Sequence, residues 1–292
     1  MLTVNWASMR NQGVEVALST RNVHTKNFMW TTNFNFAYNN NKVLKEALRE
    51  DALEPGREGY PAGALFALKT AGLDEEGYPM FQDKDGKAVS AMEFFKLQEW
   101  GFGATDLTAR ERRELYTYVG TADCPYTGGF NNTFTYKAFE LGVNFSFDFG
   151  GKVRSQPTYS IVDFDKGRNT NRDILNRWTP ENTETIFPVL LSQNERLDEY
   201  MWYSNQNEIY RNLDIWIRDL NYVRLQNIRL GYTLPTNFTR TLGMTSATVA
   251  IEGRNLLVFG SSYKNYLDPE TMSNAYATPA PKSVTLSLNL IF

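Results

Sequence analysis

The sequence predicts an all-β protein, an antiparallel transmembrane β-barrel segment with long outer loops that carry short helices. Three observations predict it. Apolar and polar residues alternate along stretches of roughly eight to twelve residues, short and long connections alternate, and the apolar sides of the best stretches carry no charge. Strands of ~9–11 residues cross a bilayer at a tilt, whereas globular strands cluster near ~5–6. A soluble two-sheet sandwich is the alternative, since it gives the same alternation with apolar sides facing inward.

The composition narrows the function classes. The 292 residues have a net charge of -3, with 14% aromatic and 22% charged residues, so no basic excess indicates a nucleic-acid partner. The single cysteine, Cys124, excludes an internal disulfide and any multi-cysteine metal site. No apolar run approaches the ~20 residues of a membrane helix, and the opening MLTVNWASMR lacks the apolar core of a secretory signal. A membrane role therefore has to be carried by strands.

Seven segments are predicted as strands, and in each of them every second residue faces the same side. In chain order they are GVEVALST, FMWTTNFNFAYN, NNTFTY, FELGVNFSFDF, YVRLQNIRLGYTLP, ATVAIEGRN and VTLSLNLIF. Their polar sides are mostly Thr, Ser, Asn, Ala and Gly, whereas a sheet facing water usually carries more long charged side chains. In the fifth segment Arg224 and Gln226 would share the apolar side, which predicts either a portion clear of the apolar zone or a bulge.

The connections between these segments alternate in length. Residues 22–27, 137–138 and 235–245 are short, and residues 40–127, 151–219 and 256–281 are long. This alternation is typical of outer-membrane barrels, which have short periplasmic turns and longer outer loops. The last strand then runs towards the short-turn side, which predicts that Phe292 lies at the periplasmic rim of the wall.

Short helices are predicted inside the long loops. Two segments, from Ser90 to Gly101 and from Thr108 to Gly120, begin with the capping-box pattern S/T-x-x-E and end at glycine. NTNRDILNRWTP is a third candidate, which ends before Pro180. Such helices suggest packed lids or partner surfaces. The alternative is that they only cover the apolar side chains of their own loop.

The sequence offers little support for an enzyme. His24, the only histidine, falls in a short connection and is interpreted as a solvated turn residue, and no serine motif accompanies it. The stretch DKDGK, from Asp83 to Lys87, resembles part of a calcium loop, but its glycine is misplaced and no Glu follows at position twelve. A plain β-turn is the favoured interpretation. We therefore predict no catalytic residue, no metal site and no cofactor.

Contact with a sugar is the one site hypothesis that the residues suggest, because aromatic faces suit the apolar sides of pyranose rings. The outer loops supply the candidates Trp178, Trp202, Tyr203, Trp216, Tyr263 and Tyr266, together with Tyr210. The alternative, that these side chains pack loop against loop or against a partner protein, is favoured.

Several stretches, taken in order, resemble the SusC/RagA-type TonB-dependent outer-membrane transporters of Bacteroidetes. They are NQGVEVALSTRN, WTTNFNFAYNNNKV, AGLDEEGYPMFQDKDGK, YTGGFNNTFTYKAFELGVNFSFDFGGKV, RWTPENTETIFP, NYVRLQNIRLGYTLP, GRNLLVFGSSYKNYLDPE and PAPKSVTLSLNLIF. The resemblance implies that residues 1–292 are the C-terminal part of such a receptor barrel, without the plug domain and the early strands. It implies a plugged barrel of about 22 strands, so seven strands need partners along their open edges.

The resemblance also implies a function and partners. These are import of glycans or peptides, a SusD-like lipoprotein over the outer loops, the TonB complex acting through the N-terminal part, and a position in the lipid bilayer of the outer membrane. The last strand resembles the signal that the outer-membrane assembly machinery reads, at Val284, Leu286, Leu288, Leu290 and Phe292. The charged residues facing the interior are expected to bond to the plug or to each other; they are Glu15, Glu140, Asp148, Glu252 and Arg254. The alternative function is a non-transporting β-rich adhesin or glycan-binding module.

Overall fold

The computed structural model describes residues 7–155, 166–169, 172–190, 198, 211–260, 268–272 and 277–292. In chain order the strands are β1 (Ser8–His24), β2 (Phe28–Lys45), β3 (Ala64–Leu68), β4 (Thr70–Leu73), β5 (Pro79–Gln82), β6 (Ala88–Val89), β7 (Tyr116–Thr121), β8 (Tyr126–Tyr136), β9 (Phe139–Arg154), β10 (Ile217–Thr233), β11 (Ser246–Phe259) and β12 (Ser283–Ile291). The helices are α1 (Ala91–Phe94), α2 (Ala109–Glu114) and α3 (Thr236–Thr241), with 3-10 turns at Arg172–Asn176 and Asp214–Trp216. Within these residues no helix is both long and apolar enough to cross a membrane.

The main sheet contains all seven predicted strands. They are ordered β1, β2, β8, β9, β10, β11, β12, and every neighbouring pair is antiparallel. Except for the small loop strands β3 to β7, each strand therefore pairs with the strands that precede and follow it along the chain. The prediction of an all-β antiparallel fold is confirmed.

The connections alternate as predicted. Residues 25–27, 137–138 and 234–245 join strands on one side of the sheet, and residues 46–125, 155–216 and 260–282 join them on the other. The two-residue turn places Lys137 at φ 51°, the left-handed region that tight hairpins require. We call the two sides the turn side and the loop side. Because β12 ends on the turn side, Phe292 lies there as well.

A bulge in β10 resolves the ambiguity at Arg224. The register with β9 shifts between Leu225 and Asn227, which pair with the adjacent residues Phe145 and Asn144, so Gln226 is an extra residue relative to β9. Leu225 therefore pairs with Phe145 on the apolar face, while Arg224 pairs with Ser146 on the polar face. Of the two expectations for this segment, the bulge is confirmed.

The residues of the loop side form a small folded layer of their own, which we call the loop layer. β3 pairs with β7, and β4, β5 and β6 form a three-stranded sheet. The core of the loop layer joins the long β2–β8 connection to the segment before β10. In this core Leu68, Phe81 and Phe95 pack with Leu213 and Trp216, and each of the five is 2% exposed or less. The folded connections therefore hold one another in place.

The loop helices are shorter than predicted. α1 ends at Phe94 and not at Gly101, because the chain turns at Lys96, with φ 47°, so that Phe95 and Leu97 are buried as well. α2 has the predicted capping box, with Thr108 as its N-cap, but it ends at Glu114, because the β-favouring YTYVGT that follows forms β7. The third candidate is a 3-10 turn.

Candidate functional site: the two faces of the sheet and the loop layer

One face of the main sheet is apolar and lies open. The register aligns rows of apolar side chains across neighbouring strands: Leu18, Phe34, Phe130, Phe145 and Leu225 form one row, and Phe134, Leu141, Leu230, Ile251 and Leu286 another. Val14 on β1 is 60% exposed, and Leu286 on β12 is 76% exposed. Among the described residues no second sheet packs on this face. A contiguous exposed apolar face of this size indicates contact with lipid or protein.

Aromatic residues border the apolar face at both ends. Tyr38, Tyr126 and Phe149 lie in one row near the loop side, and Phe28, Tyr136, Phe139 and Tyr232 lie in one row near the turn side. Along β9 the two rows are ten residues apart, about 33 Å of strand at ~3.3 Å per residue. A tilt of about 45° reduces this to ~23 Å, close to the ~25 Å apolar band of an outer-membrane barrel.

The opposite face is polar and largely uncharged at its centre. Its most regular feature is a cross-strand row in which Ser19, Asn33, Asn131, Asn144 and Asn227 are paired in turn along five strands. Ser19 Oγ donates to Asn33 Oδ1 at 2.8 Å, and Asn144 Nδ2 donates to Asn227 Oδ1 at 2.5 Å. The row presents neutral hydrogen-bonding groups to whatever the polar face contacts.

Charged residues of the polar face pair mostly with each other. Such pairing is one of the two expectations for them, the other being bonds to the plug. Arg229 lies 3.1 Å from Glu140, and Arg254 lies 2.6 Å from Glu252. Asp148 accepts from the hydroxyl of Tyr222 at 2.5 Å. Exposed pairs of this kind contribute only ~0–1 kcal/mol each, so they adjust the surface more than they stabilise the sheet.

Arg224 anchors the β11–β12 connection to this face. Its side chain is 2% exposed, donates to Asp268, and donates through Nε to Glu270 at 3.0 Å. Asp268 also accepts from the backbone N–H of Glu270 at 3.0 Å, and the Tyr222 hydroxyl lies 3.0 Å from Glu270 Oε1. We call these four residues the arginine anchor. The bulge in β10 makes it possible, because it turns Arg224 to the polar face.

Two of the predicted sugar-contact residues lie in the described structure. Trp216 is 1% exposed in the core of the loop layer, with its ring 5.9 Å from that of Phe187. Trp178 is half-buried, and its indole lies so close to Gly77 that a Cβ there would stand 2.4 Å from the ring. For both residues the structure supports the alternative interpretation, packing of loop against loop. Trp202, Tyr203, Tyr210, Tyr263 and Tyr266 lie outside the described residues.

Sequence reasoning missed one prominent feature of the loop layer. Trp100 and Phe102 are 75% and 66% exposed, and both adopt left-handed backbone angles, φ 58° and 52°. That conformation costs a residue with a side chain about 1–2 kcal/mol. The helix predicted to end at Gly101 includes Glu99 and Trp100, although the stretch EWGFG, in which two aromatics alternate with two glycines, is a turn pattern. We call residues 99–103 the aromatic tip.

The remaining candidate residues have simple surroundings. Asp83 Oδ1 accepts from the backbone N–H groups of Asp85 and Lys87 at 3.0 and 2.8 Å, the β-turn that was favoured over a calcium loop. His24 is exposed at the end of β1. Cys124 is half-buried just before β8, where burial first and the nearby Asp148 second raise the pKa of its thiol.

Comparison with known proteins identifies relatives that align with nearly the whole chain. No family model matches the chain. The TonB-dependent receptor P3 of Formosa agariphila is 26% identical over 99% of this chain and 29% of its own length. The TonB-dependent receptor SusC of Bacteroides thetaiotaomicron is 23% identical over 99% of the chain and 27% of its own length. The homologues of this chain are TonB-dependent receptors.

Solved structures agree with this relationship at the level of the fold. The RagAB peptide transporter superimposes with a TM-score of 0.67 and 22% identity, over 98% of this chain and 30% of its own. The same importer in its open-open state gives a TM-score of 0.69. The chain thus spans less than a third of the TonB-dependent receptors that it matches. The predicted fold class is confirmed, since the main sheet corresponds to a section of a TonB-dependent transporter barrel.

The kind of protein found among these relatives bears on chemistry as well. The relatives named above are receptors and transporters, not enzymes.

In the last strand, the predicted assembly residues Val284, Leu286, Leu288 and Leu290 lie on the open apolar face and are 40–76% exposed, with Phe292 81% exposed beside them. Their recognition by an assembly machinery stays a prediction.

Proposed function

We propose that residues 1–292 form the C-terminal section of the barrel of a TonB-dependent transporter in the outer membrane. The open apolar face of the main sheet carries the proposal. A soluble sandwich would bury that face, yet Val14, Val16 and Leu18 on β1 are 47–60% exposed. The aromatic borders lie ~23 Å apart along the membrane normal. This spacing, the uncharged apolar face between the borders and the alternating connections all fit a wall that crosses a membrane.

The proposal extends to substrate and partners. The transporter imports glycans or peptides together with a SusD-like lipoprotein, and the TonB complex acts through the N-terminal part. The polar face with its asparagine row lines the interior, and the loop layer faces the outside, where substrate and lipoprotein arrive. Support comes from the relatives, which include SusC, and from structural likeness to a peptide importer.

Growth of a bacterium that carries the gene tests the transport proposal. Deletion of the gene should abolish growth on one glycan class or on peptides as sole source, while growth on glucose is unchanged. A plasmid copy should restore growth, and a copy whose TonB-contacting segment is removed should not. Unchanged growth of the deletion strain on every glycan and peptide tested would refute import.

Detergent dependence separates the proposal from the alternative, a non-transporting adhesin or glycan-binding module. The protein that contains this segment should extract only with detergent and should aggregate when the detergent is removed, because the apolar face then meets water. A monodisperse, folded protein in plain buffer would instead support the adhesin or glycan-binding module.

A further inference from the structure

The aromatic tip combines a buried base with an exposed end. In the segment before it, Phe94, Phe95 and Leu97 are 9%, 2% and 9% exposed and belong to the core of the loop layer. A few residues later, Trp100 and Phe102 are 75% and 66% exposed. The loop layer thus has room for apolar side chains nearby, but these two point away from it.

The backbone of the tip is fixed. Gln98 N–H donates to Ala104 O at 2.9 Å, Gly101 N–H donates to Gln98 O at 3.0 Å, and Ala104 N–H donates to Gly101 O at 3.0 Å. Trp100 N–H donates to Asp198 Oδ2 at 2.8 Å, which ties the tip to a residue 98 positions later in the chain. An ordered tip loses little conformational freedom when it binds a partner.

Burial of the two aromatic side chains does not offset the backbone strain in the tip. Five non-glycine residues of the described structure have positive φ, and three of them lie in the tip or just before it: Lys96, Trp100 and Phe102. Glycine adopts such angles freely, so the aromatic side chains are kept at these positions against the backbone preference. Neither side chain recovers that energy through burial in its own layer. Backbone strain of this kind concentrates at functional sites.

The shape of the tip indicates the kind of partner. Small-molecule sites are concave, whereas an exposed aromatic pair on an ordered turn has the form of an anchor that enters a pocket of another protein. Tryptophan is enriched among such anchors. Glu99 and Asp106 are exposed and lie within four residues of the pair in sequence, so a cleft with basic residues at its rim would complement their charge. The same carboxylates oppose insertion into an anionic membrane surface.

We propose that Trp100 and Phe102 are the anchor residues by which the loop layer docks the SusD-like lipoprotein, in an apolar cleft bordered by basic groups. The inference rests on the proposed function, which supplies the partner, and adds the surface and the two side chains that bind it. The tip lies on the β2–β8 connection of the loop side, where such a partner would approach.

Binding of the purified lipoprotein to the full-length transporter in detergent tests the proposal. In Trp100→Gly/Phe102→Gly the strain is removed together with the aromatic contacts, so the midpoint of thermal unfolding should stay equal or rise. The dissociation constant should increase about 100-fold or more, the loss of two anchor residues. Trp100→Asn, which also tolerates left-handed angles, should weaken binding about tenfold or more.

Controls distinguish the possible failures. Phe238→Ala removes a 53% exposed aromatic from α3 on the turn side and should leave the affinity within about twofold. Unchanged affinity in the double glycine variant would overturn the inference and leave the proposed function standing. No binding by the unaltered transporter would refute the partnership itself. Loss of binding to phosphatidylglycerol vesicles in the variant, with lipoprotein affinity unchanged, would identify the tip as a membrane anchor and also overturn the inference.

Discussion

At the residue scale, the N-terminus of α2 makes the structure sensitive to acid. Thr108 N–H and hydroxyl donate to Glu111 Oε2 at 2.9 and 2.8 Å, and these bonds, with Lys96 adding less, lower the pKa of Glu111 from 4.5 to about 2. A depressed carboxyl pKa means that the folded state binds fewer protons than the unfolded state between these two values. Its stabilising contribution is complete above pH 4.5 and is lost as the pH falls towards 2.

Hydrogen exchange of the peptide that covers α2 checks this expectation. After correction for intrinsic exchange rates, protection should be constant from pH 7 to about 5 and should fall below pH 4.5. Thr108→Ala should reduce protection about fivefold at pH 7, the usual effect of a lost N-cap. Glu111→Gln should lack the pH dependence. A profile in Glu111→Gln that matches the unaltered protein would exclude Glu111 as the titrating group.

Cys124 gives a second prediction at this scale. Its thiol is half-buried, and burial together with the nearby Asp148 raises its pKa, so little thiolate exists at neutral pH. Labelling by a maleimide at pH 7 should be at least about tenfold slower in the folded protein than in urea, and it should accelerate above pH 9. Equal rates in both states at pH 7 would contradict the burial of this thiol.

At the scale of single elements, the arginine anchor ties one loop to one strand. Arg224→Met removes a guanidinium that is 2% exposed and leaves the carboxylate of Asp268, 9% exposed, without its cation. Breaking a buried pair in this way costs about 3–5 kcal/mol. The midpoint of thermal unfolding in detergent should fall, and proteases should cleave the β11–β12 connection faster.

Two comparison variants give this prediction its control. Arg254→Ala removes a 61% exposed cation from the same face and should change the unfolding free energy by less than about 0.5 kcal/mol. Arg224→Met/Asp268→Asn/Glu270→Gln removes the whole charge set and should recover much of the loss. An Arg224→Met protein as stable as the unaltered one would show that the anchor contributes nothing.

The elements also show how far sequence reasoning reached. Period-2 alternation located the seven strands because each has one apolar face, but it placed the start of the third at Asn131 and missed its first five residues. Gly128 and Gly129 hide that part, since glycine is weakly represented in strands. In the structure Gly128 is needed for close approach, because a Cβ there would lie 2.3 Å from Asn35 O and 2.6 Å from the Phe147 ring.

The loop layer was predictable only in part. The capping box of α2 could be predicted because it needs only two residues three positions apart, Thr108 and Glu111. The burial of Trp216 and the exposure of Trp100 depend on contacts between residues far apart in sequence, such as Leu68 with Leu213, which periodicity does not encode. The same limit applies to the arginine anchor, because the sequence left a bulge in β10 as one of two possibilities.

At the scale of the whole molecule, the two faces of the sheet predict opposite responses to one substitution. Phe145 and Ser146 are neighbours in β9, and Phe145 lies on the apolar face while Ser146 lies on the polar face. An Arg facing lipid near mid-bilayer costs about 2–4 kcal/mol. Phe145→Arg should therefore reduce the amount of assembled transporter in outer membranes severalfold, whereas Ser146→Arg should leave it within about twofold. The reverse order would place lipid on the other face.

The unequal connections have a consequence for how such a protein diversifies. The turn-side joins, as short as residues 137–138, set the alignment of each hairpin, so little can change there without displacing a whole strand. The loop-side joins do not set the pairing of strands, and where such a join is flexible and lies outside the core of the loop layer, doubling its length costs only about 0.6 kcal/mol. Selection can thus replace the recognition surface by insertion, deletion or exchange of whole segments while the membrane-facing framework is inherited unchanged.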